Sequence, residues 1–257
     1  MAMKTPDPTM TGPNYASAEQ WRRGKRMRDE ASEAVTEMML DLAAIQEGDR
    51  ILEIAAGTGD LAVMTAGRVG PNGYVLAIDI SASMVNLTAD AAREAGVTNV
   101  EALVMDADNL ELTEASFNAA LCRFALMNFP NPVKTLAGVH RALKPSGEFA
   151  VTVFSTAEKN PYHALPLVIA SRLAKIPFSP AGEPGMFALS GERVLEDGYT
   201  KARFRDVSVR PISIERQFAS TAEAIKRMKE LFPRLQALLK KLNETEREIV
   251  WSEIGSN

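Results

Sequence analysis

Short, nearly continuous apolar runs alternate along this chain with stretches whose apolar residues recur every three or four positions. The runs at 51–56, 73–78, 100–104, 117–122 and 148–154 read as parallel strands buried on both faces; Gly, Pro, Asn and Asp are frequent in the turns between them. Ala34-Val35, Met38-Met39-Leu40 and Leu42-Ala43 predict an amphipathic helix over 31–45. Ser81 caps another that ends near Ala95, ahead of Gly96. Pro132 opens a third, with Val133, Leu136, Val139, His140 and Leu143 along one side. Strand and helix in repeated alternation predict an α/β fold with a parallel sheet covered on both faces.

The alternation breaks after Ser155. Residues 157–163 lead into an apolar helix reaching about Leu173, then a Pro- and Gly-rich stretch at 176–185, then Met186-Phe187. A long apolar insertion behind the carboxyl end of a strand suits a lid over the crevice. Residues 204–214 alternate like a sixth strand bent at Pro211. Ser190 caps a short helix, Ser220 and Glu223 form a capping box for a helix to about Leu231, Pro233 opens another to Lys241, and Asn243 caps a last one. The organisation expected is an N-terminal arm and helices over 1–45 that cover the ligand site, and a core over 46–257 carrying the lid at about 156–200.

The first strand runs into Gly57-Thr58-Gly59 and then into helix. Two glycines one residue apart let the chain turn sharply and a ligand come close. The free N–H groups of the new helix face that ligand. The second strand ends on Asp79, about 20 residues past the turn, the spacing at which a carboxylate meets a ribose diol. Gly57-x-Gly59-x-x-Ala62 satisfies a dinucleotide fingerprint, yet Asp60 in the first helical turn repels a diphosphate, and Glu53 brings a further carboxylate to the same crevice. A ribose at one end and a cationic amino group at the other match those acids, which favours S-adenosylmethionine over NAD. Asp106, at the end of the third strand, is placed to accept a hydrogen bond from the adenine amine.

Glu53-Ile-Ala-Ala-Gly57-Thr-Gly59-Asp60 resembles the first motif of class I S-adenosylmethionine-dependent methyltransferases. Ala55 followed by Gly-Thr-Gly-Asp is most similar to the ubiquinone/menaquinone-biosynthesis C-methyltransferase branch, which includes many small-molecule O-, N- and C-methyltransferases. Residues 122–130 resemble that branch's Cys-Arg-aromatic-x-Leu-Met-x-Phe-Pro segment. The resemblance covers about 30–215 and implies a three-layer Rossmann-like methyltransferase sheet with a helical cap. It implies a cofactor site of Glu53, Ala55, Gly57, Thr58, Gly59, Asp79, Ile80, Met84, Asp106 and Ala107, with Ile80 and Met84 against the adenosine and Asp106-Ala107 reading the adenine; Arg123 either joins the cofactor end of the pocket or pairs with Glu53 or Asp60. Acceptor-lining candidates come from three places: Tyr15 and Trp21 in the N-terminal segment, Phe124, Met127 and Phe129 after the fourth strand, and Asn160, Tyr162, His163, Met186 and Phe187 in the lid. His163 is the candidate catalytic base for a hydroxyl acceptor, the alternative being a substrate contact without proton transfer. The family's sheet ends in an antiparallel strand between the fifth and sixth; residues after 218 offer no candidate for it, so truncation, a neighbouring subunit in a homo-oligomer, or a six-stranded sheet are open.

Size and composition narrow the picture further. A length of 257 residues with 46% hydrophobic side chains supports one α/β domain with an added cap. The net charge of −4 points away from nucleic acid, and the basic run of Arg22, Arg23, Lys25, Arg26 and Arg28 is balanced by Asp29, Glu30 and Glu33. One cysteine, Cys122, excludes a disulfide framework and a cysteine-rich cluster; two histidines without ligand spacing leave no metal expected. With no long apolar run and no signal pattern, no membrane span and a cytoplasmic location are expected. The function expected is methyl transfer to an O, C or N atom of a small, largely apolar acceptor. The alternatives are an NAD-dependent oxidoreductase and a repurposed methyltransferase fold that binds the cofactor without methyl transfer. Asp79→Ala is expected to weaken S-adenosylhomocysteine binding in calorimetry by about tenfold or more, through loss of a charged hydrogen bond; unchanged affinity removes Asp79 from the site.

Overall fold

A computed structural model of the protein describes residues 25–178 and 183–256. Strands β1 (Arg50–Ile54), β2 (Tyr74–Asp79), β3 (Val100–Val104), β4 (Phe117–Arg123) and β5 (Leu143–Thr152) form one sheet. All pairings are parallel, in the order β3-β2-β1-β4-β5. The strand order reverses between β1 and β4, which opens a crevice at their carboxyl ends.

Period-2 alternation distributes the strand side chains over two apolar layers. Ile51, Val75, Ala77, Ala119 and Leu121 face α1 (Lys25–Leu42) and α2 (Asp60–Val69). Leu52, Ile54, Leu76, Ile78, Ala120 and Cys122 face the layer that holds α4 (Pro132–Ala142) and α6 (Val194–Lys201). Helix α3 (Ala82–Glu94) covers β2 and β3. Ile51, Leu52 and Ile54 are wholly buried, which explains why β1 reads as an apolar run broken only by Glu53. This is the α/β arrangement expected from the alternation and the Rossmann-like sheet that the resemblance implies.

A third apolar cluster forms the helical cap. It joins α5 (Pro161–Leu173), apolar on most of its surface, to α7 (Thr221–Leu231), α8 (Pro233–Leu239) and α9 (Glu244–Ser256) through Leu167, Ile169, Met228, Leu235, Val250 and Ile254. The Ser220 and Glu223 capping box forms: Glu223 N–H donates to Ser220 Oγ, and Glu223 Oε2 accepts from Ala219 N–H. No described helix is long and apolar enough to cross a membrane.

Two stretches differ from expectation. The Lys144-Pro-Ser-Gly147 turn is drawn into β5 as an irregularity, with Ser146 at φ 64° and the register shifting between Phe117 and Ala119. Residues 204–214 form no ladder, so the described sheet has five strands rather than six. Pro211 lacks an N–H to donate, and Arg203 and Asp206 adopt positive φ, which interrupts any straight strand. The alternation there records packing: Phe204 and Val207 join the α4 layer, while Ile212 and Ile214 join the α1 layer.

The glycine turn is fixed from behind by α3. At Gly59, φ is 80° and an added Cβ would lie 2.7 Å from Thr88 Cα. Gly59→Ala is therefore expected to destabilise the fold by at least about 2 kcal/mol in denaturant unfolding, from strain and overpacking together.

Candidate active site

Strand register brings the acids together. Glu53 pairs in register with Ala77 on one side and Leu121 on the other. Asp79 and Arg123 lie two residues further along those neighbouring strands, so all three side chains share the α1 face at the carboxyl edge. Beyond β1, Ala55 takes φ 58° and Gly57 φ 59°, and the chain reverses into α2. Asp79 holds that turn: its Oδ2 accepts from Gly57 N–H at 3.0 Å and its Oδ1 from Ser81 N–H at 2.9 Å. Burial raises the Asp79 pKa, and the N–H groups of Ser81, Gly57 and Ile80 oppose that shift. Thr88 Oγ1 donates to Gly57 O, so the turn is braced on two sides.

Glu53 is the electrostatic anomaly. Its carboxylate is fully buried, and Oε2 has no hydrogen-bond partner among the described residues. Burial pushes its pKa well up; Asp60 adds to the rise, Arg123 counters it, and Asp79 adds a smaller increment. Arg123 is itself bound: it ion-pairs with Asp60 and donates to Thr36 Oγ1 on α1. Thr58 Oγ1 also donates to Asp60, at 3.0 Å. The first-turn acid is thus neutralised, while the strand acid keeps an unpaired oxygen. A buried lone carboxylate oxygen is costly unless a donor meets it. A cationic amine beside a glycine turn supplies one, so these residues fit the amino-acid end of S-adenosylmethionine.

The remaining cofactor candidates line up along the same edge. Ile80 follows Asp79, and Met84 is buried in the first turn of α3, whose N-cap is Ser81. Asp106 caps the short turn Ala107–Asn109, accepting from Asp108 N–H and from Asn109 Nδ2. Ala107 is partly buried against the α4 layer.

The acceptor candidates divide. Phe124, the residue after β4, has φ 54° and stacks on Phe154 with ring centroids 4.9 Å apart. Phe154 meets His163 at 5.0 Å and Phe187 at 6.4 Å; His163 in turn contacts Tyr162 and lies parallel to Phe232 at 5.2 Å. Phe124, Tyr162, His163 and Phe187 thus form one aromatic wall beside Arg123. Met127 is buried, and its carbonyl accepts from Gly185 N–H, which ties the segment bearing Met186 and Phe187 to the end of β4. Phe129 packs in the α4 layer on the other face, and the Asn160 amide donates to Ser155 O, Ser155 Oγ and Thr156 O. Tyr15 and Trp21 lie outside the described residues. Burial, then Arg216, lowers the His163 pKa to about 3, so the imidazole is neutral.

Sequence reasoning missed Phe154, Arg216, Phe218 and Phe232. Phe154 stood in plain view just past the carboxyl end of the fifth strand. Arg216 and Phe218 continue an inward row, Ile212-x-Ile214-x-Arg216-x-Phe218, past residue 214, where the expected sixth strand ends. Phe232, between two helices, carried no such signal.

The strain at Glu53 generates a test. Its raised folded-state pKa means that stability is lost as pH rises from the unfolded value of about 4.5 through the folded value, because the unfolded chain ionises first. Glu53→Gln is expected to raise the melting temperature at neutral pH and to weaken S-adenosylhomocysteine binding by about tenfold or more. A lower melting temperature with unchanged affinity makes Glu53 purely structural.

Residues 45–175, just over half of the chain, match the model of a family described as a methyltransferase domain. The ubiquinone/menaquinone biosynthesis C-methyltransferase UbiE of Pseudomonas savastanoi pv. phaseolicola is 37% identical over 117 residues, covering 45% of this chain and 46% of that protein. The chain thus spans about half the length of the curated relatives it matches. Among solved structures, the YcgJ protein of Bacillus subtilis aligns with a TM-score of 0.58 and 21% identity, covering 84% of this chain and 88% of that one. The [4+2]-cyclase SpnF aligns with a TM-score of 0.56 and 21% identity, covering 88% and 74%. These two likenesses are of fold. With the match running from the start of the first strand through the first cap helix, and the glycine turn at its centre, the chain belongs to the methyltransferase-domain family and has the class I S-adenosylmethionine-dependent methyltransferase fold.

Proposed function

We propose that this protein transfers a methyl group from S-adenosylmethionine to an O, C or N atom of a small, largely apolar acceptor. The observation that carries the reading is the buried Glu53 carboxylate, with one oxygen unpaired beside a glycine turn. A diphosphate would meet the acid Glu53 there, which disfavours a dinucleotide. When bound, the cofactor supplies an electrophilic methyl group on a sulfonium.

The chain's own residues bind, orient and exclude water. Glu53 holds the cationic amino end, Asp79 the ribose, and the 106–107 turn flanks the adenine side. The Arg123–Asp60 pair lies between the glycine turn and Phe124, so it fixes cofactor and acceptor walls to one another. Phe124, Phe154 and Phe187 form an apolar wall that aligns a flat acceptor and keeps the site dry; alignment alone contributes much of the barrier lowering in such transfers. His163, reluctant to take a proton, serves as a neutral wall and hydrogen-bonding group rather than a proton carrier.

Calorimetry against S-adenosylhomocysteine and NAD, followed by incubation with methyl-labelled cofactor and a panel of phenols, quinols and amines, tests the reading. Binding of S-adenosylhomocysteine with label transfer supports it; tighter NAD binding, or no S-adenosylhomocysteine binding at millimolar levels, overturns it. The His163 environment has its own signature. Its folded-state pKa of about 3 lies below the unfolded value of about 6.5, so the unfolded chain binds the extra proton and stability falls as pH drops through that window. His163→Phe is expected to flatten this part of the melting-temperature profile relative to wild type.

A further inference from the structure

The far end of the aromatic wall holds a cation and a hydroxyl that the cofactor does not use. Arg216 is half-buried, its guanidinium carbon 5.7 Å from the centroid of the Tyr162 ring. Among the described residues it forms no ion pair with a carboxylate. Burial lowers its basicity, and Tyr162 is the group that opposes this. The Tyr162 hydroxyl is buried and has no hydrogen-bond partner among the described residues. The Tyr162 ring stacks on Phe218 at 5.2 Å and meets Phe232 edge-on at 5.3 Å, so it is held in place. His163, adjacent in sequence and 5.1 Å away ring to ring, joins this pair to Phe154 and Phe124.

Two unmet polar groups in one apolar nest are costly separately and complementary together. A guanidinium presents a planar fork of donors suited to a carboxylate, and a phenol hydroxyl adds a further donor. The buried Tyr162 hydroxyl has lost its hydration and half-buried Arg216 part of its own, and a ligand that accepts hydrogen bonds compensates both. Neutral His163 adds no competing positive charge.

We propose that the acceptor is a small aromatic or otherwise apolar acid, whose carboxylate-sized anionic group pairs with Arg216 and accepts from the Tyr162 hydroxyl. This rests on the methyltransferase reading and names the acceptor class within it. Arg216 and Tyr162 are specificity-determining residues at the end of the wall away from Arg123, and the apolar body of the acceptor lies along Phe154 toward Phe124.

The full chain is titrated by calorimetry with 2-naphthoate and with its neutral isostere 2-naphthamide, with S-adenosylhomocysteine affinity measured in parallel. Wild type is expected to bind the acid about tenfold or more tightly than the amide, the scale of one charge-assisted contact. Arg216→Gln is expected to abolish that preference and Arg216→Lys to keep part of it, both with S-adenosylhomocysteine affinity unchanged, which shows that they fold. Equal affinity of wild type for acid and amide, no binding of the acid at millimolar concentration, or a preference that survives in Arg216→Gln overturns the proposal. A protein that prefers the acid yet ignores S-adenosylhomocysteine upholds the anion site and refutes the methyltransferase reading instead.

Discussion

A carboxylate buried without full compensation governs this molecule. Glu53 sits near the carboxyl end of the central strand, among residues that are otherwise apolar, with Asp79 and Asp60 near enough to raise its pKa further. Arg123 opposes that rise but is committed to Asp60. Among the described residues nothing donates to the second Glu53 oxygen, and a donor with positive charge would complete it. Burying such a group lowers stability, and proteins retain such groups where a ligand completes them. The parallel register makes the arrangement possible, because it sets Asp79 and Arg123 two residues beyond Glu53 on either side of it.

The backbone bends where the chemistry is needed. Ala55 and Phe124, just beyond β1 and β4, both adopt left-handed conformations that cost a non-glycine residue about 1–2 kcal/mol each. They flank the point where the strand order reverses. The first bend opens the path to Gly57 and Gly59; the second turns the Phe124 ring onto Phe154. Ala56 N–H donates to Ile78 O and Phe124 N–H to Thr152 O, which holds both bends in place. Strain at the two walls of one crevice is a mark of a site that the rest of the fold keeps in shape.

Much of this was legible before any coordinates. The apolar runs marked all five strands, most clearly β1, β2 and β4, where a doubly covered sheet leaves little room for polar residues, and the Gly-x-Gly turn with Asp79 marked the crevice by spacing alone. Helix limits followed where caps are chemical, as at Ser81, Pro132, Ser220 and Pro233. Other features were hidden for physical reasons. Period-two packing looks the same whether or not the backbone finds a ladder partner, so residues 204–214 read as a strand. Asn160 and Phe129 carried the right chemistry for a site; the Asn160 amide is held by Ser155 and Thr156 and Phe129 packs on the opposite sheet face, which spacing does not reveal. The aromatic wall joins residues more than 100 positions apart, Phe124 to Phe232, through contacts that exist only after the cap has packed.

The stretch without a ladder, from Arg203 to Ala219, has a consequence for how this protein diversifies. Its course is set by side-chain anchors, with Phe204 and Val207 on one layer and Ile212 and Ile214 on the other, rather than by interstrand hydrogen bonds. A ladder ties every residue to its neighbour, so a change at one position disturbs them all. An anchored strap lets Arg216 and Phe218 be exchanged while Ile212 and Ile214 hold the path. Side chains in this strap can therefore change while the sheet and its acids stay as they are.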